Sequence, residues 1–255
     1  VFQGSFWDFN QGWQASRVLD TEARMANLSE NKRCPMTKFQ HCPPSLIQRY
    51  YAWKQNSLPR QAATLGRLAR DGQVPDFMVI SCCDSRILPT DIFEAGAGDM
   101  FVHRNIANFV PTYHGPSGDG SGDAHGTSAA LEYGVCALKV AHLLVLGHAK
   151  CGGVQGCHDM CAAGQSGPEF ELPLVGAWLE NMRPVYNQMA ADGKNIDIDE
   201  MSRRSVVQSL HNLLSFPFIA DAVAGGTLSL HGAWNDFGSG TLLAYNPETD
   251  GFDPV

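Results

Sequence analysis

A chain of 255 residues, 44% hydrophobic and 17% charged, has the make-up of an ordinary globular protein and enough length to bury a sizeable core. Its formal net charge of −8 excludes a general nucleic-acid-binding role, because no basic stretch is present to neutralise a run of phosphates. No apolar run approaches the about 20 residues that span a bilayer, so no membrane span is expected, and small neutral or anionic ligands are left as partners.

The chain opens on "VFQGS", which resembles the remnant of a cleaved fusion tag, so the native start and any targeting peptide are expected to be missing. Residues 1–44 show weak periodicity and mixed polar and aromatic character. They are expected to form a helical N-terminal extension that packs on the body or on a partner subunit, with a partly disordered arm as the alternative. From residue 45 to 255 a single α/β domain is expected. "SLIQRYYAWKQNS" carries Leu46, Tyr50 and Trp53 near helical spacing, and "PRQAATLGRLARDG" opens on Pro and closes on Gly as a helix does.

Short apolar runs then alternate with helical stretches. The runs are "FMVISC" (77–82), "MFVHRN" (100–105), "HLLVLGH" (142–148) and "TLSLHGAW" (227–234). The helical candidates are "GTSAALEYGVCALK", "LPLVGAWLENMRPVYNQM" and "DEMSRRSVVQSLHNLL". Strands buried on both faces read as continuous apolar runs, so the pattern predicts a mostly parallel central sheet of four strands with helices on both faces. "TLLAYNP" (241–247) follows closely enough to form a hairpin and add an antiparallel edge strand. The glycine-rich "HGPSGDGSGDAHG" (114–126) reads as a surface loop.

Eight cysteines are too few for a disulfide scaffold at this length, and their clustering beside His and Asp points to metal chemistry in a reducing compartment. A cytoplasmic location is expected, or an organellar one if a targeting peptide has been removed. In open α/β sheets the functional groups gather beyond the carboxyl ends of the strands. One strand ends in Cys82, Cys83, Asp84, Ser85 and Arg86, and another in "GHAKCGG", which supplies His148 and Cys151. Two sulfurs and an imidazole suit Zn²⁺, and three protein ligands would leave the open position of a catalytic site. Taken alone, His-x-x-Cys is a weak signal, since buried Cys and His commonly have structural roles. The Asp-Ser-Arg triplet strengthens it: an Arg fork can grip Asp84 bidentately and keep it off the metal.

These residues make the chain resemble a β-class carbonic anhydrase of the plant-like subtype. The family's Cys-x-Asp-Ser-Arg and His-x-x-Cys motifs stand intact at 82–86 and 148–151, and the likeness runs from about Leu46 to Phe252 through "FVHRNIAN", "GTSAALEYGV", "GHAKCGGV" and "LSLHGAWNDFGSGTLLAYNPETDGF". The resemblance implies Cys82, His148 and Cys151 as zinc ligands. It also implies Asp84 and Arg86 as the catalytic pair, and Gln73, Phe101 and Tyr133 as groups that place CO₂, partly across a dimer interface. The implied reaction is reversible hydration of CO₂ to bicarbonate by attack of zinc-bound hydroxide, carried out by a homodimer or higher homo-oligomer. Cys83 maps beside the ligand, and strand alternation turns it to the other face, where it is expected as a packed neighbour.

Two other readings use the same residues. One is a hydrolase of carbonyl sulfide or carbon disulfide on this scaffold; the other is a non-catalytic zinc-containing bicarbonate-binding module whose fourth metal position is filled, for instance by Asp84. "CGGVQGCHDMC" adds Cys157, His158 and Cys161, of which only the two cysteines share a helix face, so packing is expected rather than a second metal. His103, His114 and His125 are candidates for proton relay, set against the commoner hydrogen-bonded or solvated role.

Overall fold

The computed structural model describes residues 41–115, 125–191, 193 and 195–255, so all but four residues of the expected extension, and the centre of the glycine-rich loop, lie outside it. Two compact units are present, one ending at Pro59 and the other spanning Arg60–Val255. The first contains helix α1 (Pro44–Asn56), which starts on a proline whose missing N–H is no loss in a first turn. Leu46, Tyr50 and Trp53 form an exposed stripe along it. Helix α2 (Leu58–Asp71) follows and stops at Gly72, whose φ of 83° is a left-handed conformation that favours glycine.

The second unit is built on a six-stranded sheet. Its strands are β1 (Phe77–Cys82), β2 (Met100–Asn105), β3 (His142–His148), β4 (Ser229–Asp236), β5 (Thr241–Asn246) and β6 (Gly251–Pro254), in the spatial order β2-β1-β3-β4-β5-β6. The first four pair in parallel, and β5 and β6 pair antiparallel. After α2 and a single helical turn at Pro89–Ile92, the longer described helices of this unit are α3 (Gly126–Glu132), α4 (Gly152–Ala162), α5 (Pro173–Leu179), α6 (Arg183–Ala191), α7 (Ile198–Leu213) and α8 (Pro217–Ala224).

Side-chain alternation in β1 and β3 splits the core. Met78, Ile80, Leu143 and Val145 meet Val206 and Leu213 of α7 and Ile219 of α8, whereas Val79 and Leu146 face Ile87 and Ala233 on the other side. Each such side chain, removed from water, contributes roughly 1.5–3 kcal/mol. A third cluster joins Cys82 and Cys151 to Val154, Cys157, Met160, Met182 and Met201, and so anchors the strand ends in the helical layer.

Three departures from expectation have local causes. The chain gains a second antiparallel strand, β6, whose "GFDP" is too short and too polar to show alternation. "GGVQGCHDMCA" forms a full helix, α4, because Val154, Cys157, Met160 and Cys161 bury one face and offset two interior glycines. The segment from Pro173 to Ala191 is two helices joined by a 3-10 turn at Glu180–Met182, just before Pro184.

Candidate active site

Because β1 and β3 are adjacent and parallel, their carboxyl ends emerge side by side, and they bring Cys82, His148 and Cys151 together. Their sulfur and nitrogen atoms all lie within 4.8 Å of one another, and all three residues are buried. The Cys82 and Cys151 sulfurs are 3.9 Å apart. That matches the edge of about 3.8 Å that a tetrahedron takes around a zinc ion with Zn–S bonds of about 2.3 Å.

His148 shows the same fit from another side. Its Nδ1–H donates to the Ala149 carbonyl oxygen at 2.8 Å, which leaves Nε2 as the lone-pair nitrogen. Nε2 is buried and has no hydrogen-bond partner. A buried acceptor without a partner is costly unless an ion takes it. Backbone geometry fixes the imidazole: Gly147 leaves no room for a Cβ, which would sit 2.7 Å from Val206 Cγ2, so α7 packs directly on β3. From α7, Ser202 donates to the His148 carbonyl oxygen at 3.1 Å, and the Trp234 indole donates to Ser202 Oγ at 3.2 Å.

Cys151 follows Lys150, which holds a left-handed φ of 52°. The turn is tied down by the Lys150 N–H donating to Asp199 Oδ1 at 2.8 Å. Cys151 is the N-cap of α4, a position where backbone N–H groups favour a thiolate. The two thiols are nonetheless unequal. The hydrogen bond from Cys151, with His148 behind it, holds Cys82 well below the ordinary thiol range, while that same contact and burial push Cys151 up. Two sulfurs that resist ionising side by side in a dry site can both do so around a dication.

Asp84 lies beside this group but is not one of its members among the described residues. Arg86 grips it: the Arg86 backbone N–H and Nε both donate to Oδ1 at 2.9 Å, and Nη2 donates to Oδ2 at 2.6 Å. This bidentate hydrogen bonding holds the Asp84 carboxyl well below the usual carboxylate range. Arg86 is itself fixed by the Lys150 carbonyl oxygen at 3.1 Å and by the Phe237 ring, whose centroid is 4.5 Å away. Sequence reasoning did not single out Arg104. It donates to the carbonyl oxygens of Cys82, Asp84 and Ile87 at 2.8, 2.7 and 2.9 Å, stitching the Cys82–Arg86 turn to β2. Its place in "MFVHRN", a charged residue within an otherwise apolar run that forms the half-buried edge strand, was the available signal.

Gln73, Phe101 and Tyr133 are elsewhere in the chain. Phe101 pairs with Met78 at the amino end of β1, four positions before Cys82, which places it about 13 Å from the thiol at about 3.3 Å per residue. The Phe101 and Tyr133 rings lie 5.7 Å apart, and Tyr133 is exposed. Gln73 is exposed in the loop before β1. A single chain therefore gathers the metal-type donors at one end of the sheet and this trio towards the other.

The remaining candidates have local roles. Cys83, expected to be packed, is exposed, because the strand has ended and the chain is turning outward. Cys157 and Cys161 are buried with sulfurs 4.0 Å apart, and burial pushes both thiols up. His158 turns away to Asp159. His103 is hydrogen-bonded to Thr127 at 3.0 Å, and His125 caps α3 by accepting from the Ser128 N–H.

Residues 77–242 match the family model described as carbonic anhydrase. A relative from Arabidopsis thaliana, beta carbonic anhydrase 3, is 33% identical over 74% of this chain and 71% of its own length. Among solved structures, the β-carbonic anhydrase CcaA aligns with a TM-score of 0.73 at 28% identity, covering 83% of this chain and 98% of that one. A tetrameric β-carbonic anhydrase from Sordaria macrospora aligns with a TM-score of 0.64 at 29% identity, covering 78% and 94%.

Proposed function

This chain belongs to the β-carbonic anhydrase family, and on that premise we propose that it catalyses the zinc-dependent, reversible hydration of CO₂ to bicarbonate in a site shared between two copies of the chain. Cys82, His148 and Cys151 would hold the ion. A zinc ion there supplies Lewis acidity, which makes a nucleophile of water near neutral pH. The observation that carries this reading is the buried Cys82-His148-Cys151 group, with the orphaned His148 Nε2 aimed into it and Asp84 held aside by Arg86.

Asp84 acts as an acceptor. Both lone pairs of Oδ1 are taken by Arg86, whereas Oδ2 receives only Nη2 and keeps one lone pair with which to orient the reacting water. Arg86 is a positioning residue that keeps this carboxylate ionised and out of the donor group. The same arrangement supports an open fourth ligand position over a site closed by Asp84.

The CO₂-binding trio is supplied by a second copy of the chain. The separation of about 13 Å within one chain supports this, as does the tetrameric state of the Sordaria macrospora enzyme. Aromatic rings form a dry lining for an apolar gas, and the Gln73 amide donates to an oxygen of CO₂ or bicarbonate. Residues 45–255 are then the catalytic domain and 1–44 an extension. Stopped-flow CO₂ hydration by wild type and Cys82→Ser, with bound zinc measured in each, tests the proposal; a variant that keeps both zinc and full activity overturns it.

A further inference from the structure

His142 and His231 take no part in the chemistry above, yet they sit on adjacent strands, β3 and β4, on the same face of the sheet. His142 Nδ1 and His231 Nε2 are 3.2 Å apart. Two imidazole nitrogens bound to one ion at about 2.1 Å lie about 3.0 to 3.4 Å apart, so the rings already have the spacing of a chelating pair. His142 is stacked on Phe77, with ring centroids 5.2 Å apart and planes 22° from parallel, which holds its orientation. Its backbone N–H donates to the Asp76 carbonyl oxygen at 3.1 Å, while the His231 side is open to solvent.

We propose that His142 and His231 form a second metal site, a surface bis-histidine pair for a borderline divalent transition-metal ion, with water in the remaining positions. Imidazole suits Ni²⁺, Cu²⁺ and Zn²⁺, and two ligands make the site weaker than the buried three-ligand group. Partial burial and the neighbouring His142 lower the pKa of His231, which favours the neutral ring whose lone pair can take an ion. Without an ion, one ring donates N–H to the other. On binding, the donor ring moves that proton to its second nitrogen, so two neutral rings take up the ion with no net proton release. The site lies at the far end of β3 from His148, about 20 Å along the strand, and is distinct from the catalytic group.

Nickel is the probe of choice because it favours imidazole and does not oxidise thiols. Zinc-loaded protein is titrated with Ni²⁺ by calorimetry, with both metals counted after equilibrium dialysis. One additional nickel ion per chain is expected, with zinc content unchanged. His231→Asn and His142→Asn should each weaken nickel binding by at least about ten-fold while keeping the full zinc content that reports an intact fold. His211→Asn, on an exposed part of α7, should bind nickel as wild type does. The proposal is overturned if His231→Asn binds nickel as tightly as wild type, or if wild type takes up nickel only by releasing zinc.

Discussion

The two ends of the same parallel strands are built on opposite principles. At the carboxyl end, Cys82, His148 and Cys151 are buried, and the backbone around them is tied down by Arg104, Ser202 and Asp199. At the amino end, Gln73 and Tyr133 are exposed, and the Phe101 and Tyr133 rings lie 5.7 Å apart. The donor group is assembled within a single chain, whereas the trio, on the function proposed above, serves a second copy. A metal site demands fixed short bonds, whereas a gas-binding lining demands only a dry surface, and a dry surface can be borrowed across an interface.

The strongest way to break this contrast is at the closed end. Cys82→Ser should lose bound zinc and about 100-fold or more in CO₂ hydration, measured by metal analysis and stopped flow. At the open end, Phe101→Ala should retain zinc and lose about ten-fold in kcat/KM. Mixing the two variants sharpens the contrast. If the trio acts across the interface, a one-to-one mixture that exchanges subunits regains roughly a quarter of wild-type activity, because half the dimers are mixed and each mixed dimer has one intact site. No recovery after proven exchange would place the trio and the metal in the same chain.

Arg86→Ala probes what holds the closed end in shape. Zinc should stay bound, and activity should fall by about 10- to 100-fold, with the loss in kcat rather than KM. The smallest effect is on acid stability. Asp84 has its folded pKa depressed by Arg86, so its contribution to stability is present above the unfolded carboxylate value of about 3.9 and is lost as pH falls towards the folded value. Arg86→Ala should therefore raise the pH of acid unfolding slightly, as followed by circular dichroism; a variant that unfolds at the same pH would show that the ion pair adds nothing there.

Much of the closed end was legible in the sequence. Parallel strands appear as apolar runs, buried in β1 and β3 and half-buried at the β2 edge, so they fall on "FMVISC", "HLLVLGH" and "MFVHRN", and the motifs at the ends of β1 and β3 then converge by topology alone. Helix α4 was hidden because its glycines interrupt the pattern, and its one buried face alternates sulfur with hydrocarbon. β6 was hidden because it is held by pairing with β5 rather than by its own hydrophobicity. The open end was illegible for a different reason: Gln73, Phe101 and Tyr133 look like ordinary surface or core residues, and only the family resemblance singled them out. The His142–His231 pair required the β3–β4 register, which no local pattern encodes.

Burial also sorts the thiols of the described residues into two kinds. Cys42, Cys83 and Cys136 are exposed, and Cys82, Cys151, Cys157 and Cys161 are enclosed. An alkylating reagent that needs access to sulfur will mark the first group in the native protein and the second only when the core opens. Mass-resolved alkylation therefore turns the chain into its own clock for breathing: Cys157 and Cys161 time the opening of the helical layer, and Cys82 and Cys151 time the opening of the strand ends, where the proposed metal would be released.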